Sequence, residues 1–99
     1  MKARYEREIV FRQALQKLYP KMPPADVLTG AQRHARHAAP DKHALYVAAC
    51  AVARHCYTEY ETLCPKEATE AAKEHARIIT RPAVRAKLRE WAGPDRDPG

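Results

Sequence analysis

Apolar residues recur at intervals of three and four positions along most of the chain, which is the spacing that places them on one face of a helix. Prolines interrupt this pattern, and proline is favoured in the first turn of a helix and disfavoured in its interior. The two signals predict an all-α fold: one compact five-helix domain over residues 1–93 and a flexible C-terminal tail over 94–99. The predicted helices span about residues 4–18, 24–38, 40–57, 65–79 and 81–92.

The third predicted helix is the most apolar part of the chain. Ten consecutive residues, 44–53, carry no charge and cover every direction around a helix axis. A helix that is apolar on all sides is typical of a buried position. We therefore expect a buried, alanine-rich central helix with the other four helices packed around it.

The last two predicted helices meet near residue 80. Pro65 is expected to open the fourth helix, whose inner face is predicted to include His75 and Ile79. Pro82 is expected in the first turn of the fifth helix, with Thr80 as the residue that caps its start.

The fifth predicted helix carries the sole tryptophan of the chain. Val84, Leu88 and Trp91 fall on one face of that helix at helical spacing. Aromatic side chains contribute large areas to a core, so we expect Trp91 to be buried.

The chain is basic, and its charge is unevenly distributed. Eighteen Lys and Arg against twelve Asp and Glu give a net charge of +6. Residues 57–76 carry a net charge of −3 (two basic, five acidic), whereas residues 1–21 carry +4 (six basic, two acidic) and 77–99 carry +3 (six basic, three acidic). Basic regions of this kind are typical of proteins that bind polyanions, so nucleic acid is an expected partner.

Cysteine usage and hydropathy bear on the compartment. The three cysteines are an odd number, and the N-terminal residues lack the apolar run of a secretion signal. These features favour reduced thiols and a cytoplasmic protein. No stretch approaches the ~20 apolar residues that a membrane span needs, so no membrane association is expected.

Polar and aromatic residues crowd together at the end of the third predicted helix. This motif corner consists of Arg54, His55, Thr58, Tyr60 and Glu61. Buried polar groups must find partners, so the corner is explained either as a hydrogen-bonded hinge or as a site for ligand binding or catalysis. In either case we expect the last four of these residues to form one hydrogen-bonded cluster.

The motif corner also resembles the signature of a small bacterial family that is catalogued as a domain of unknown function. Residues 51–61 carry the pattern Arg-His-x-aromatic-Thr-x-Tyr-acid, and weaker similarity lies at residues 18–25, 34–35 and 84–91. Two departures stand against it: residues 61–65 read Glu-Thr-Leu-Cys-Pro where the family has an Asp, two leucines and a glycine-bearing loop, and the link at residues 38–41 is short. The resemblance covers about residues 10–93. It implies a fold class and a bacterial or phage origin, and no activity.

Arginines repeat every four residues towards the C-terminus, and we call them the arginine row. The row consists of Arg77, Arg81, Arg85 and Arg89. Each four-residue step advances a helix by about 6 Å, which suits a run of phosphates. Lys87 lies close in sequence, and Arg33 and Arg36 would extend the basic surface if the second helix lies adjacent. The alternative is a solvated helix edge whose arginine stems cover neighbouring alanines.

Metal binding and nucleic-acid cleavage are the other chemistries that the residue types suggest. His34 and His37 lie three positions apart, but the C-x-x-C and H-E-x-x-H spacings of zinc sites are absent from the sequence. We therefore expect no metal and no cofactor. A nuclease that needs no metal would use a pair such as Arg54 with His55, and the sequence offers no serine as a nucleophile.

Three functions remain open at this point. The first is a small basic cytoplasmic binding module that contacts nucleic-acid phosphates through the arginine row. The second is a protein-interaction domain, as a homodimer or as an inhibitor of another protein, that uses the corner from Tyr57 to Glu61. The third is a metal-independent nuclease, for which no catalytic residue is assigned.

Overall fold

Five helices and no strand make up the part of the chain that the computed structural model describes, residues 2–35 and 39–93. The helices are α1 (Lys2–Leu18), α2 (Pro24–His34), α3 (Lys42–Tyr57), α4 (Tyr60–Leu63) and α5 (Glu70–Ala92). The all-α prediction is confirmed. The tail predicted over 94–99 lies outside the described residues, and so does Arg36.

Helix α3 lies at the centre of the domain, as predicted, and contacts each of the other four helices. Asp41 begins it, because its carboxylate accepts a hydrogen bond from the backbone N–H of Ala44 at 2.8 Å. The expectation that α3 is buried on all sides is wrong. Tyr46 and Val47 are 38% and 41% exposed, because the neighbouring helices leave one side of α3 uncovered.

Helix α2 packs closely against α1 and α3 because its contact face carries a glycine. Gly30 is buried, and a Cβ atom at this position would lie 3.1 Å from Leu15 Cδ2 and 3.4 Å from Val52 Cγ2. Pro24 occupies the first turn of α2, as the sequence predicts.

Helix α5 runs without a break through residue 82, so the predicted boundary between a fourth and a fifth helix is wrong. Pro82 lies inside the helix and is exposed. Thr80 is not a cap; it is buried, and its hydroxyl donates a hydrogen bond to the Ala76 carbonyl at 2.8 Å. A proline in a helix interior costs about 3 kcal/mol. The apolar face of α5 continues on both sides of Pro82, and its burial offsets this cost.

The first residue of α5 and the residues on its inner face also differ from the prediction. The helix begins at Glu70 rather than at Pro65, because the Thr69 hydroxyl accepts a hydrogen bond from the backbone N–H of Ala72 at 3.2 Å. His75 and Ile79, predicted on the inner face, are exposed. The residues that set the buried face are Ala76, Thr80, Val84, Leu88, Trp91 and Ala92.

The connector between α1 and α2 attaches the end of α5 to the core. The Gln16 amide nitrogen lies within 3.1–3.3 Å of the carbonyl oxygens of Tyr19, Pro20 and Met22, which holds the connector in place. The backbone N–H of Lys21 donates to the Trp91 carbonyl at 2.8 Å. Trp91 is 2% exposed, so its predicted burial is confirmed.

Candidate functional site

A groove of about 260 Å³ runs between α3 and α5, on the side of α3 that the other helices leave uncovered. Helix α3 contributes Tyr46, Val47, Cys50, Ala51 and Arg54, and α5 contributes Arg77, Arg81, Val84 and Arg85. The floor is therefore apolar and aromatic, and four of the nine lining residues are arginines. None of the nine is acidic.

Three members of the arginine row line this groove because they are four residues apart on one helix. Four residues rotate a helix by slightly more than one turn, so Arg77, Arg81 and Arg85 stay on the side that faces α3. Arg89 is exposed, but the accumulated rotation leaves it outside the lining. The groove therefore contains the first three arginines of the row and leaves out Arg89.

The positive charge of the groove is only partly balanced by carboxylates. Arg77 Nη1 lies 3.6 Å from Glu74 Oε2, one turn earlier on α5. Arg81 and Arg85 form no ion pair with any residue that the structure describes. Arg54 stacks on an aromatic ring instead, with its guanidinium carbon 5.6 Å from the centre of the Tyr60 ring. The groove therefore presents a cationic surface that is only partly neutralised, at Arg77.

The two titratable groups of the floor are uncharged at neutral pH. The pKa of Tyr46 is raised, mainly by a side-chain hydrogen bond with Cys50. The positive charges of Arg85 and Arg81 act in the opposite direction and lower it by less. Burial raises the pKa of the Cys50 thiol. The hydrogen bond with Tyr46 and the charges of Arg54 and Arg85 lower this pKa, but by less. All charge within the groove is consequently positive.

The remaining basic residues of the predicted interface lie elsewhere. Lys87 is turned away from the groove: its ammonium lies 4.6 Å from the centre of the Tyr57 ring and 3.1 Å from Glu90 Oε2. Arg33 is exposed on α2, which packs against α1 and α3, and it is not among the groove residues.

The motif corner forms the turn from α3 into α4. The Thr58 hydroxyl donates a hydrogen bond to the Arg54 carbonyl and accepts one from the Tyr60 N–H at 3.1 Å. Tyr60 is buried, and the His55 ring meets its ring edge-on with centroids 5.1 Å apart. His55 Nδ1 lies 3.3 Å from Glu61 Oε1. The last four residues of the corner are thus linked by the hydrogen bonds of Thr58, the ring contact of His55 with Tyr60 and the His55–Glu61 contact, and not by one hydrogen-bonded network as expected.

Tyr57, at the end of α3, connects three helices. Its hydroxyl donates a hydrogen bond to the Asp26 carboxylate on α2, and its ring packs edge-on against Trp91 of α5 with centroids 5.6 Å apart. The hydrogen bond to Asp26 is the main cause that raises the pKa of Tyr57 to about 12. The exposed ring of Tyr57 is therefore engaged in contacts within the domain.

The groove floor is the part of the site that sequence reasoning missed. The apolar pattern predicts a core position for Tyr46, Val47, Cys50 and Ala51, and the sequence groups Arg54 with the motif corner alone. The sequence spacing does indicate a position in the groove for Arg54. It follows Tyr46 and Cys50 at steps of four residues and therefore lies on the same face of the helix.

Neither a metal cluster nor a membrane span is found in the part of the chain that the structure describes. No group of three or more His, Cys, Asp or Glu side chains in residues 2–35 and 39–93 is arranged to hold a metal ion. No helix within the same ranges is long and apolar enough to cross a membrane.

The fold and the groove define a small all-helical domain with an arginine-lined, apolar groove. Residues 14–92 match the family of uncharacterised conserved proteins DUF2293, and the chain belongs to that family. The matched segment includes every residue that lines the groove and the whole motif corner. No curated protein and no solved structure matches the chain.

Proposed function

We propose that this protein is a nucleic-acid-binding module that holds phosphate groups with the arginines of α5. The observation that carries the proposal is the placement of Arg77, Arg81 and Arg85 along one groove whose lining holds no acidic residue. Arginine binds phosphate oxygens through two parallel N–H donors, and a row of such groups matches the repeated charge of a nucleic-acid backbone.

The electrostatics of the groove favour an external anion. Because Arg81 and Arg85 have no carboxylate partner among the described residues, a phosphate would bind them without breaking an ion pair. The pair of Arg77 with Glu74 is solvent-exposed, and such pairs contribute little, about 0–1 kcal/mol. Arg89 extends the row beyond the groove, whereas Lys87 and Arg33 add only to the general positive field.

The proposal includes a cytoplasmic location. Cys50, Cys56 and Cys64 are all free thiols, which suits a reducing compartment. The net charge of +6 suits binding to an abundant intracellular polyanion.

Titration of the wild-type protein with labelled single-stranded and duplex oligonucleotides at two salt concentrations tests the proposal. We expect dissociation constants between about 1 and 100 µM near physiological salt, the range of ordinary non-specific binding. The logarithm of the affinity should fall linearly with the logarithm of the salt concentration, by about 0.7 to 0.9 for each phosphate contacted. If the protein binds neither oligonucleotide more tightly than ~100 µM, that result contradicts the proposal.

A protein-interaction domain is the second candidate, and one observation favours it at a surface of α5, away from the predicted contact at the corner from Tyr57 to Glu61. Ile78 and Ile79 of α5 are 51% and 50% exposed, so two large apolar side chains of consecutive helix positions lie at the surface. An interface built on them would form a homodimer or hold another protein, and its affinity would change little with salt. Light scattering on the purified protein measures the mass of the particle, and a dimer mass would favour this candidate.

A further inference from the structure

We propose that the groove between α3 and α5 binds a single strand, with an unstacked base on the apolar floor and the adjoining phosphates on the arginines. This inference rests on the proposed function and adds the strand state of the ligand. It follows from the part of the groove that phosphate binding alone leaves unexplained.

The part of the groove that phosphate binding leaves unexplained is its apolar floor. Val47, Ala51 and the ring of Tyr46 form an apolar surface beside the arginines, and Val84 closes it from α5. Phosphate oxygens are strongly hydrated and gain nothing from apolar contact. The nucleic-acid group that does gain is the flat face of a base, which stacks on aromatic rings and on guanidinium planes.

A single strand presents base faces and phosphates together, whereas a duplex does not. In a duplex each base face is covered by its neighbours in the stack, and proteins reach only the base edges in the grooves. A strand whose bases are unstacked can place one base on Tyr46 and Val47 while its backbone follows the arginine row. The groove, at about 260 Å³, is a local depression and takes one such base at a time.

Two features favour a nucleic acid over an acidic peptide that carries an apolar side chain. The arginines of α5 recur every four residues, a rise of about 6 Å along the helix, in the manner of the regularly spaced charges of a backbone. The floor is aromatic and uncharged, and Arg54 adds a further guanidinium plane on the α3 side. The acidic peptide is an outcome of the test below.

Three probes of equal length test the inference with the full chain. They are an oligothymidylate strand of about twelve nucleotides, the same strand with abasic sugars in place of the nucleosides, and a duplex, all within usual site sizes. We expect the oligothymidylate to bind about tenfold more tightly than either of the other two, because only it offers base faces.

A groove-filling variant separates base binding from phosphate binding. Ala51→Leu occupies the floor and keeps every arginine, so it should lower the affinity for oligothymidylate about tenfold, to the level of the abasic strand. Binding of the abasic strand and the duplex should not change. Ala71→Leu, at an exposed position of α5 outside the groove, is the matched control and should bind all three probes as the wild type does. Circular dichroism checks the fold of each variant.

Tyr46→Leu is a second variant in case the first does not fold. It keeps an apolar side chain at a partly exposed position and removes the aromatic ring, so oligothymidylate binding alone should weaken several-fold. Equal binding of all three probes by the wild type would overturn the single-strand inference and leave the proposed function standing. Failure of all three would overturn the proposed function itself. Tighter binding of a glutamate-rich, leucine-containing peptide than of oligothymidylate would assign the groove to a protein partner and overturn the inference.

Discussion

The hydroxyl of Tyr57 donates a hydrogen bond to the carboxylate of Asp26, which joins the last turn of α3 to the first turn of α2. The ring of Tyr57 also meets the ring of Trp91 near the end of α5. A single side chain thus connects three helices that are distant in sequence. The contact is sensitive to pH because it needs the phenol to keep its proton.

Replacement of this phenol should produce a stability difference that disappears at high pH. Tyr57→Phe removes the hydrogen bond and should lower the free energy of unfolding at neutral pH by about 0.5–1.5 kcal/mol. The pKa of Tyr57 is raised from 10.0 to about 12 on folding, so above pH 10 the unfolded chain loses this proton before the folded one does. The stabilisation is therefore complete below pH 10 and is lost as the pH rises towards 12. Urea unfolding of both proteins across this range measures the difference, and a constant difference contradicts the account.

Removal of the tryptophan ring should destabilise the whole domain. Trp91 is 2% exposed, and its main chain accepts a hydrogen bond from Lys21, so Trp91→Ala leaves a cavity at the junction of α5 with the α1–α2 connector. We expect a loss of about 3–5 kcal/mol in the free energy of unfolding. Arg89→Ala, an exposed neighbour on the same helix, should cost less than ~0.5 kcal/mol. A loss below ~1 kcal/mol for the tryptophan variant would show that the end of α5 is peripheral.

The hinge explanation of the motif corner predicts that the Thr58 hydroxyl stabilises the turn from α3 into α4. Thr58→Val keeps the shape of the side chain and removes its hydrogen bonds with the Arg54 carbonyl and the Tyr60 N–H, so stability should fall by about 1 kcal/mol. Thr62→Val, at an exposed position of α4, is the control and should have little effect. Thermal unfolding compares the two variants, and equal stabilities would remove the hinge explanation.

Replacement of the proline inside α5 should stabilise the protein. Pro82→Ala restores a backbone N–H to an exposed interior position of the helix, and the expected gain is up to ~3 kcal/mol. Pro24→Ala is the matched control, because Pro24 occupies the first turn of α2, where no helical hydrogen bond is missing. Urea unfolding should show a gain for the first variant alone. A loss of stability for Pro82→Ala would contradict a continuous α5.

Proline positions and helical spacing predicted the helices correctly where the packing of the folded chain agrees with them. The Pro24 signal marks the true start of α2, and the spacing of Val84, Leu88 and Trp91 gives the buried face of α5. The Pro82 signal failed because burial on both sides of it continues the helix, and that burial depends on residues far away in sequence.

The candidate site was predictable only in part. The four-residue spacing places the arginines on one side of a helix, but it does not say which neighbouring helix that side faces. Tyr46 and Val47 follow the apolar pattern of a buried helix, and only the arrangement of the other helices leaves them at the surface. The groove is therefore a product of packing, which helical periodicity does not encode.

The central claim, that the groove arginines hold phosphates, is tested most directly by two variants of equal net charge. Arg81→Ala/Arg85→Ala removes two arginines from the groove, and Arg7→Ala/Arg12→Ala removes two exposed arginines from α1. The measurement is the salt dependence of oligonucleotide affinity for both variants and the wild type. We predict that the groove variant binds more weakly and that its salt slope is flatter by about 0.7 to 0.9 for each lost contact, while the α1 variant keeps the wild-type slope. Equal losses in the two variants would show that overall charge, and not the groove, determines binding, and would contradict the account.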